Sequence, residues 1–328
     1  MESDKKTYLV TGCAGFIANQ VAHLLLRQGH RVVGIDNMND YYDVTLKEFR
    51  LSKLATYEHF KFFKNDLEDR SAIAKIFDEF KFDAVINLAA RAGVRFSLEE
   101  PTVYMTTNAM ANLFLLEEMR TRGIKKYVLA STSSLYAGQP MPFVETSAVN
   151  TPLSPYAASK KSAEIMAYAY HHNYDLDVSI LRYSTVYGPA SRPDMAIFRF
   201  IKWIDEDTPV TLYGDGTQSR DFAFVDDIAK GTIAAIRPTG YEVFNLSGGN
   251  QPISINSIIE KLEDIMGKKA KINHRPFHKA DMKTTWLDIS KAKKLLDWTP
   301  MVPLHEGLEK CVCWHSANQP WSGCIRIN

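Results

Sequence analysis

No run of apolar residues in this chain approaches the ~20 that a membrane-crossing helix requires, so no membrane-spanning helix is expected. Nor is there a basic block: 39 Lys and Arg stand against 38 Asp and Glu, a net charge of +1 over 328 residues. Nucleic acid and anionic membranes are therefore poor partners for it. Cysteine is scarce, with four residues, and their spacing forms no disulfide framework, which points to a reducing compartment and hence the cytoplasm. Met1 to Thr7 is polar and leads straight into a strand-like segment, so no signal peptide is expected there. Internal repeats, long linkers and low-complexity tracts are missing as well. An apolar share of 45% with 23% charged residues is that of a folded globular protein. The length suits two domains, or one large core with an appended lobe.

What the chain does contain begins at once. Thr7-Tyr8-Leu9-Val10-Thr11 runs into Gly12-Cys13-Ala14-Gly15-Phe16-Ile17-Ala18, then into a helix-periodic stretch with Ile17, Val21, Leu24 and Leu25 on one side. A second strand, Arg31 to Ile35, ends in Asp36. Strand, glycine turn, helix, strand and acid make up the dinucleotide-binding βαβ unit. The glycines let backbone approach a pyrophosphate held at the positive end of the helix. Asp36 is placed to take ribose hydroxyls, and with Asn37 rather than Arg after it, NAD is expected over NADP.

Strand and helix continue to alternate: Phe60 to Phe63, a helix from Ser71 to Phe80, a strand from Asp83 to Ala90, a helix from Thr102 to Arg122, and a strand from Lys126 that opens onto hydroxyl-rich Ser131-Thr132-Ser133-Ser134. A doubly wound, mostly parallel α/β sheet of Rossmann type is expected, with ligands at the carboxyl ends of its strands. Ser154-Pro155-Tyr156-Ala157-Ala158-Ser159-Lys160 opens the next helix. One turn apart, Tyr156 and Lys160 share a face. A cation near a phenol favours the phenolate and makes it a usable base. After Gly188-Pro189 the rhythm breaks, returns at Tyr241 to Leu246, and breaks again. The expected division is a cofactor domain over 1–187 with 222–247 returning to it, and a smaller mixed α/β lobe from 188–221 and 248–328.

The glycine turn with Asp36, the hydroxyls after a later strand, and Tyr156-x-x-x-Lys160 together resemble the extended short-chain dehydrogenases/reductases that act on nucleotide sugars. The resemblance covers nearly the whole chain, through Arg220-Asp221-Phe222 and Val225-Asp226-Asp227-Ile228. It implies Thr132, Tyr156 and Lys160 as the catalytic set. It implies NAD against Gly12, Gly15, Phe16, Ile17, Asp36, Asn37, Asp66, Leu67, Leu88, Ala89, Ala90, Asn108, Tyr156, Lys160 and Tyr183. Asp36-Asn37-Met38-Asn39-Asp40-Tyr41-Tyr42-Asp43 and Arg192-Pro193-Asp194-Met195-Ala196 are similar to stretches of the UDP-glucuronate 4-epimerases. That likeness implies a UDP-sugar substrate held by Arg95, Ser133, Thr185, Arg192, Tyr213, Arg220 and Asp281, with Ser133, Thr185 and Arg192 on the sugar carboxylate. It also implies a homodimer paired through the helices that begin near Thr102 and Tyr156, whose apolar faces read from sequence equally well as internal core.

Departures from the pattern are Ala18 at the third glycine position, Asn87 and Arg91 for His and Gln, Tyr183-Ser184 for an aromatic pair, and Ala280 for a glycine. Ser133 and Ser134 stand where sugar dehydratases and decarboxylases carry a carboxylate, which speaks against loss of water. A 4-epimerase of neutral UDP-sugars is the competing enzyme, and an NAD-binding sensor without activity the competing class. Cys311-Val312-Cys313 lacks zinc-site spacing and reads as part of a helix, with no metal expected.

Overall fold

The computed structural model describes residues 5–278 and 281–327; Ala280 lies outside them. Its first elements are strands β1 (Thr7–Thr11), β2 (Arg31–Ile35), β3 (Phe60–Phe63), β4 (Ala84–Asn87), β5 (Lys126–Thr132) and β6 (Asp177–Tyr183), and helices α1 (Phe16–Arg27), α2 (Val44–Leu54), α3 (Arg70–Glu79), α4 (Phe96–Glu99), α5 (Pro101–Met105), α6 (Ala111–Arg122) and α7 (Pro155–Tyr174). After them come β7 (Thr185–Tyr187), α8 (Ala196–Asp205), β8 (Val210–Tyr213), β9 (Ser219–Arg220), β10 (Phe222–Phe224), α9 (Val225–Ala234) and β11 (Tyr241–Leu246). The last are β12 (Ile253–Ser254), α10 (Ile255–Met266), β13 (Ile272–Arg275), β14 (Thr284–Thr285), α11 (Ser290–Leu296) and α12 (Leu304–Ser322).

Seven strands make one sheet in the order β11-β6-β5-β4-β1-β2-β3, and all six pairings are parallel. Side chains alternate across a strand, so each central strand feeds two cores. Val10, Ile86, Val128 and Leu181 pack with α1, α9 and α11 on one face. Leu9, Val85, Leu129 and Ile180 pack with α3, α6 and α7 on the other. Burial on both faces explains why these strands read as unbroken apolar runs. A third core joins Phe200, Val210, Ile258 and Leu308, outside the sheet.

Two expected elements differ in detail. The strand read as Asp83 to Ala90 leaves the sheet after Asn87, because the N–H groups of Leu88 and Ala89 donate to Thr11 Oγ1 at 3.1 and 3.0 Å instead of to a neighbouring strand. The helix read from Thr102 to Arg122 is interrupted by a π turn at Thr106–Met110. Asn108 sits in that turn, and its side chain bonds the backbone of Arg91 at 2.9 Å in both directions and Ser159 Oγ at 2.9 Å. Single π turns of this kind often mark functional positions.

Candidate active site

A cavity of about 390 Å³ opens along the carboxyl edge of the sheet. One end is built by the first crossover. Gly12 has φ +69, and a Cβ there would lie 2.8 Å from Ala89 Cα, so this close backbone approach admits only glycine. Gly15 precedes α1 without a side-chain cap, which leaves the positive end of the helix facing an incoming anion. Asp36 follows β2: one carboxylate oxygen accepts the N–H of Ala14 at 3.2 Å, the other that of Met38 at 2.8 Å. Asn37 donates to Asp66 at 2.7 Å, which fixes both at the rim. The carboxylate just after β2 and the bare helix end fit a dinucleotide, with Asp36 for a ribose and the glycine turn for a pyrophosphate.

The other end lies beside β5 and α7. Ser154 caps α7, its hydroxyl accepting Ala157 N–H at 3.1 Å, and Pro155 occupies the first turn, where its missing N–H costs nothing. Tyr156 is thereby presented at the start of a rigid helix, with Lys160 one turn on. Thr132, the last residue of β5, stands by the Tyr156 hydroxyl and favours its ionised form. Burial raises the Tyr156 pKa above its usual value, against the opposing pull of Thr132 and the positive charge of Arg192. Lys160 donates to Ala130 O at 2.9 Å, and burial pushes it down to about 8, against Glu164. A phenol raised by burial needs added positive charge to ionise near neutrality.

Behind this group, Arg182 grips Glu164 with two bonds, at 2.9 and 2.7 Å, while Ser131 donates to the same carboxylate at 2.6 Å. Both members of the pair are buried. Arg192 forks onto Asp194 at 2.9 and 2.5 Å. Arg91 and Arg192 each lie over the ring of Tyr41, at 4.8 and 5.6 Å from its centroid.

Gly12, Gly15, Phe16, Ile17, Asp36, Asn37, Asp66, Leu67, Leu88, Ala89, Ala90, Thr132, Ser133, Tyr156, Lys160, Tyr183, Thr185 and Arg192 all line the one cavity. Asn108 stands behind its wall, its amide engaged with Arg91 and Ser159. Arg95, Tyr213, Arg220 and Asp281 gather farther out. Arg95 pairs with Asp281 at 2.5 Å and lies 4.0 Å over the Tyr213 ring. Arg220 donates to the carbonyls of Ser219, Met282 and Lys283. Tyr41, Lys47 and Arg91 also line the cavity; Lys47 and Arg91 were not assigned roles from sequence, since neither belongs to a local motif whose chemistry is readable.

The family model described as GDP-mannose 4,6 dehydratase matches residues 9–311. The chain belongs to that family, a branch of the extended short-chain dehydrogenases/reductases. Among curated relatives, a UDP-glucuronate 4-epimerase of Thermodesulfobacterium geofontis is 59% identical over 311 residues, 95% of this chain and 96% of that protein. Among solved structures, the UDP-glucuronic acid 4-epimerase of Bacillus cereus in complex with UDP-glucuronic acid and NAD superposes with a TM-score of 0.89 at 39% identity, covering 95% of this chain and 99% of that one. The UDP-glucose 4-epimerase of Thermotoga maritima with UDP-glucose gives 0.87 at 30% identity, covering 95% and 99%. Family membership alone does not choose the reaction; the residues around Thr132 have to do that.

Proposed function

We propose that the protein is an NAD-dependent 4-epimerase that interconverts UDP-glucuronate and UDP-galacturonate through a transient 4-keto sugar, without decarboxylation. The observation that carries this reading is one cavity that joins the Tyr156, Thr132 and Lys160 group to a dinucleotide cradle and to Arg192. The 59% identity to a UDP-glucuronate 4-epimerase over almost the full length supports it. Gly12, Gly15 and Asp36 would hold NAD, which would supply a reversible hydride acceptor for C4 of the sugar. The protein's own residues manage the proton. Tyr156 takes it from the 4-hydroxyl and returns it after the ketone has turned over. Thr132 steadies first the hydroxyl and then the ketone oxygen, and Lys160 supplies the fixed positive charge that keeps the phenolate accessible.

Dehydration would require a carboxyl group beside Thr132. Ser133 and Ser134 occupy those positions, and among the described residues the carboxylates lining the cavity are Asp36, Asp66 and Asp194. A ketone at C4 is β to the sugar carboxylate, so the intermediate is prone to lose carbon dioxide when that bond aligns with the carbonyl π system. Ser133, Thr185 and Arg192 hold the carboxylate out of that alignment, by the same positioning that elsewhere accelerates reactions. We assign 188–221 and 248–328 to the nucleotide sugar, with Arg220 on its diphosphate and Asp281 on its ribose, and 1–187 with 222–247 to NAD. Exposed Met105, Met110, Ile165 and Tyr168 offer the apolar contact through which two copies pair. Four unpaired cysteines suit the reducing cytoplasm.

A second reading is favoured by one feature: Asp194 already occupies the Arg192 fork, as suits a site for neutral sugars. Assay of both sugar pairs decides. Turnover of UDP-glucuronate to its C4 epimer supports the proposal, and turnover of only UDP-glucose and UDP-galactose overturns it.

A further inference from the structure

Arg50, on α2, is 3% exposed, yet among the described residues its guanidinium donates only to neutral acceptors. Nη1 donates to Ala14 O at 3.0 Å and to the Tyr42 hydroxyl at 2.7 Å; Nε and Nη2 both donate to Ala190 O, at 3.0 and 2.7 Å. No carboxylate pairs with it among the described residues, in contrast to Arg182 with Glu164 and Arg192 with Asp194. A buried cation without a counter-ion is costly to keep, so its place in the fold needs a reason.

The two carbonyls it joins belong to different parts of the site. Ala14 lies in the glycine turn, and its N–H is already held by Asp36 at 3.2 Å. Ala190 lies in the turn after β7, two residues before Arg192, with φ +54, a left-handed backbone that alanine seldom adopts. The doubly bonded carbonyl of Ala190 is what Arg50 grips to keep that turn in place. Resting on the reading above, we infer that Arg50 is a positioning residue that ties the cofactor turn to the turn carrying Arg192, so that dinucleotide binding and capture of the sugar carboxylate share one geometry. Its planar fork spans both carbonyls, which a lysine ammonium, with all its donors on one nitrogen, does not do. Its charge lies behind the glycine turn, adding to the positive helix end where a pyrophosphate rests.

Fork and charge have separate consequences. If the Arg192 turn drifts, the sugar carboxylate turns with it and the C5–C6 bond can align with the C4 ketone. That bond then breaks, its electron pair enters the C4–C5 enolate, carbon dioxide leaves, and a proton from water restores C5 as a UDP-4-ketopentose; return to C4 of the hydride taken from it, with a proton from Tyr156 to the ketone oxygen, gives a UDP-pentose. If the charge is removed, dinucleotide affinity falls.

The test uses the full chain with NAD and UDP-glucuronate, with nucleotide sugars resolved by anion-exchange chromatography and NAD affinity measured by calorimetry. Arg50→Lys keeps the charge and is expected to slow epimerisation roughly tenfold and raise the pentose share about fivefold, the scale of a sub-ångström misplacement. Its NAD affinity stays near that of the unaltered protein. Arg50→Gln is expected to weaken NAD binding about tenfold, the effect of one charge at several ångströms from a pyrophosphate. Should Arg50→Lys not fold, Tyr42→Phe, which frees one donor and leaves the charge, is read in its place for about a twofold rise in pentose. An unchanged product ratio in the folded variant overturns the inference alone. An unaltered protein that does not epimerise UDP-glucuronate overturns the functional reading, and the inference falls with it.

Discussion

Replacing Glu164 by Gln tests the scaffold behind the proposed catalytic group. Glu164 and Arg182 are 2% and 3% exposed and joined by two bonds, and Ser131 donates to the same carboxylate. Glutamine is nearly isosteric but removes the negative charge and turns an amide N–H₂ toward the guanidinium. Breaking a buried pair from one side leaves an uncompensated charge, at a cost of about 3–5 kcal/mol. At about 2.1 cal/mol/K per residue, a chain of 328 residues has an unfolding entropy of ~0.7 kcal/mol/K, so the midpoint should fall by roughly 4–7 °C. Differential scanning calorimetry at fixed NAD concentration reads this directly. Glu164 also holds the Lys160 pKa up, so the variant should lose activity at a lower alkaline pH. Replacing both partners by methionine should recover most of the lost stability, since paired apolar substitution removes the stranded charge. A fall of less than about 1 °C for Glu164→Gln would refute the reasoning.

Tyr156→Phe removes the proton acceptor and should lower epimerisation at least ~10³-fold, with NAD affinity, read by calorimetry, within a few-fold of the starting protein. Gly12→Ala forces a side chain into positive φ and into Ala89; NAD affinity should fall by at least ~tenfold, from about 1–2 kcal/mol of backbone strain plus the clash. Lys160 falls in the fold from an ordinary 10.5 to about 8, so the native protein binds fewer protons than the unfolded chain between those values. The stability this group contributes is full above about 10.5 and is lost as pH falls through 8. Lys160→Met should therefore flatten the rise of the urea midpoint between about pH 8 and 10 in cofactor-free protein. Arg192→Ala should raise the UDP-pentose share of the product several-fold, seen by chromatography, because the carboxylate loses its guanidinium fork.

Local chemistry made much of the site legible before the fold was known. The turn at Gly12 and Gly15, the acid at Asp36, and the Ser154 cap that presents Tyr156 and Lys160 each depend on residues close in sequence, so pattern and structure agree. The parallel sheet was legible because its central strands bury both faces. What stayed hidden depends on long closures. Arg50 meets Ala190 across 140 positions, and no local pattern marks either residue. The Glu164–Arg182 pair unites a helix with a strand, and on α7 alone Glu164 reads as an ordinary surface acid. The π turn at Thr106–Met110 carries no local signal, because it is set by what Asn108 bonds across the fold, not by its neighbours. Arg95 and Asp281 were singled out as separate substrate ligands, while in the fold they pair with each other.

UDP-glucuronate carrying deuterium at C4 of the sugar offers the most direct trial of the central claim. Incubated with the protein and NAD, it should yield the C4 epimer with the label still on C4 and all six sugar carbons present, as read by NMR and mass spectrometry. Loss of the label to solvent, or a five-carbon sugar as the main product, would contradict it.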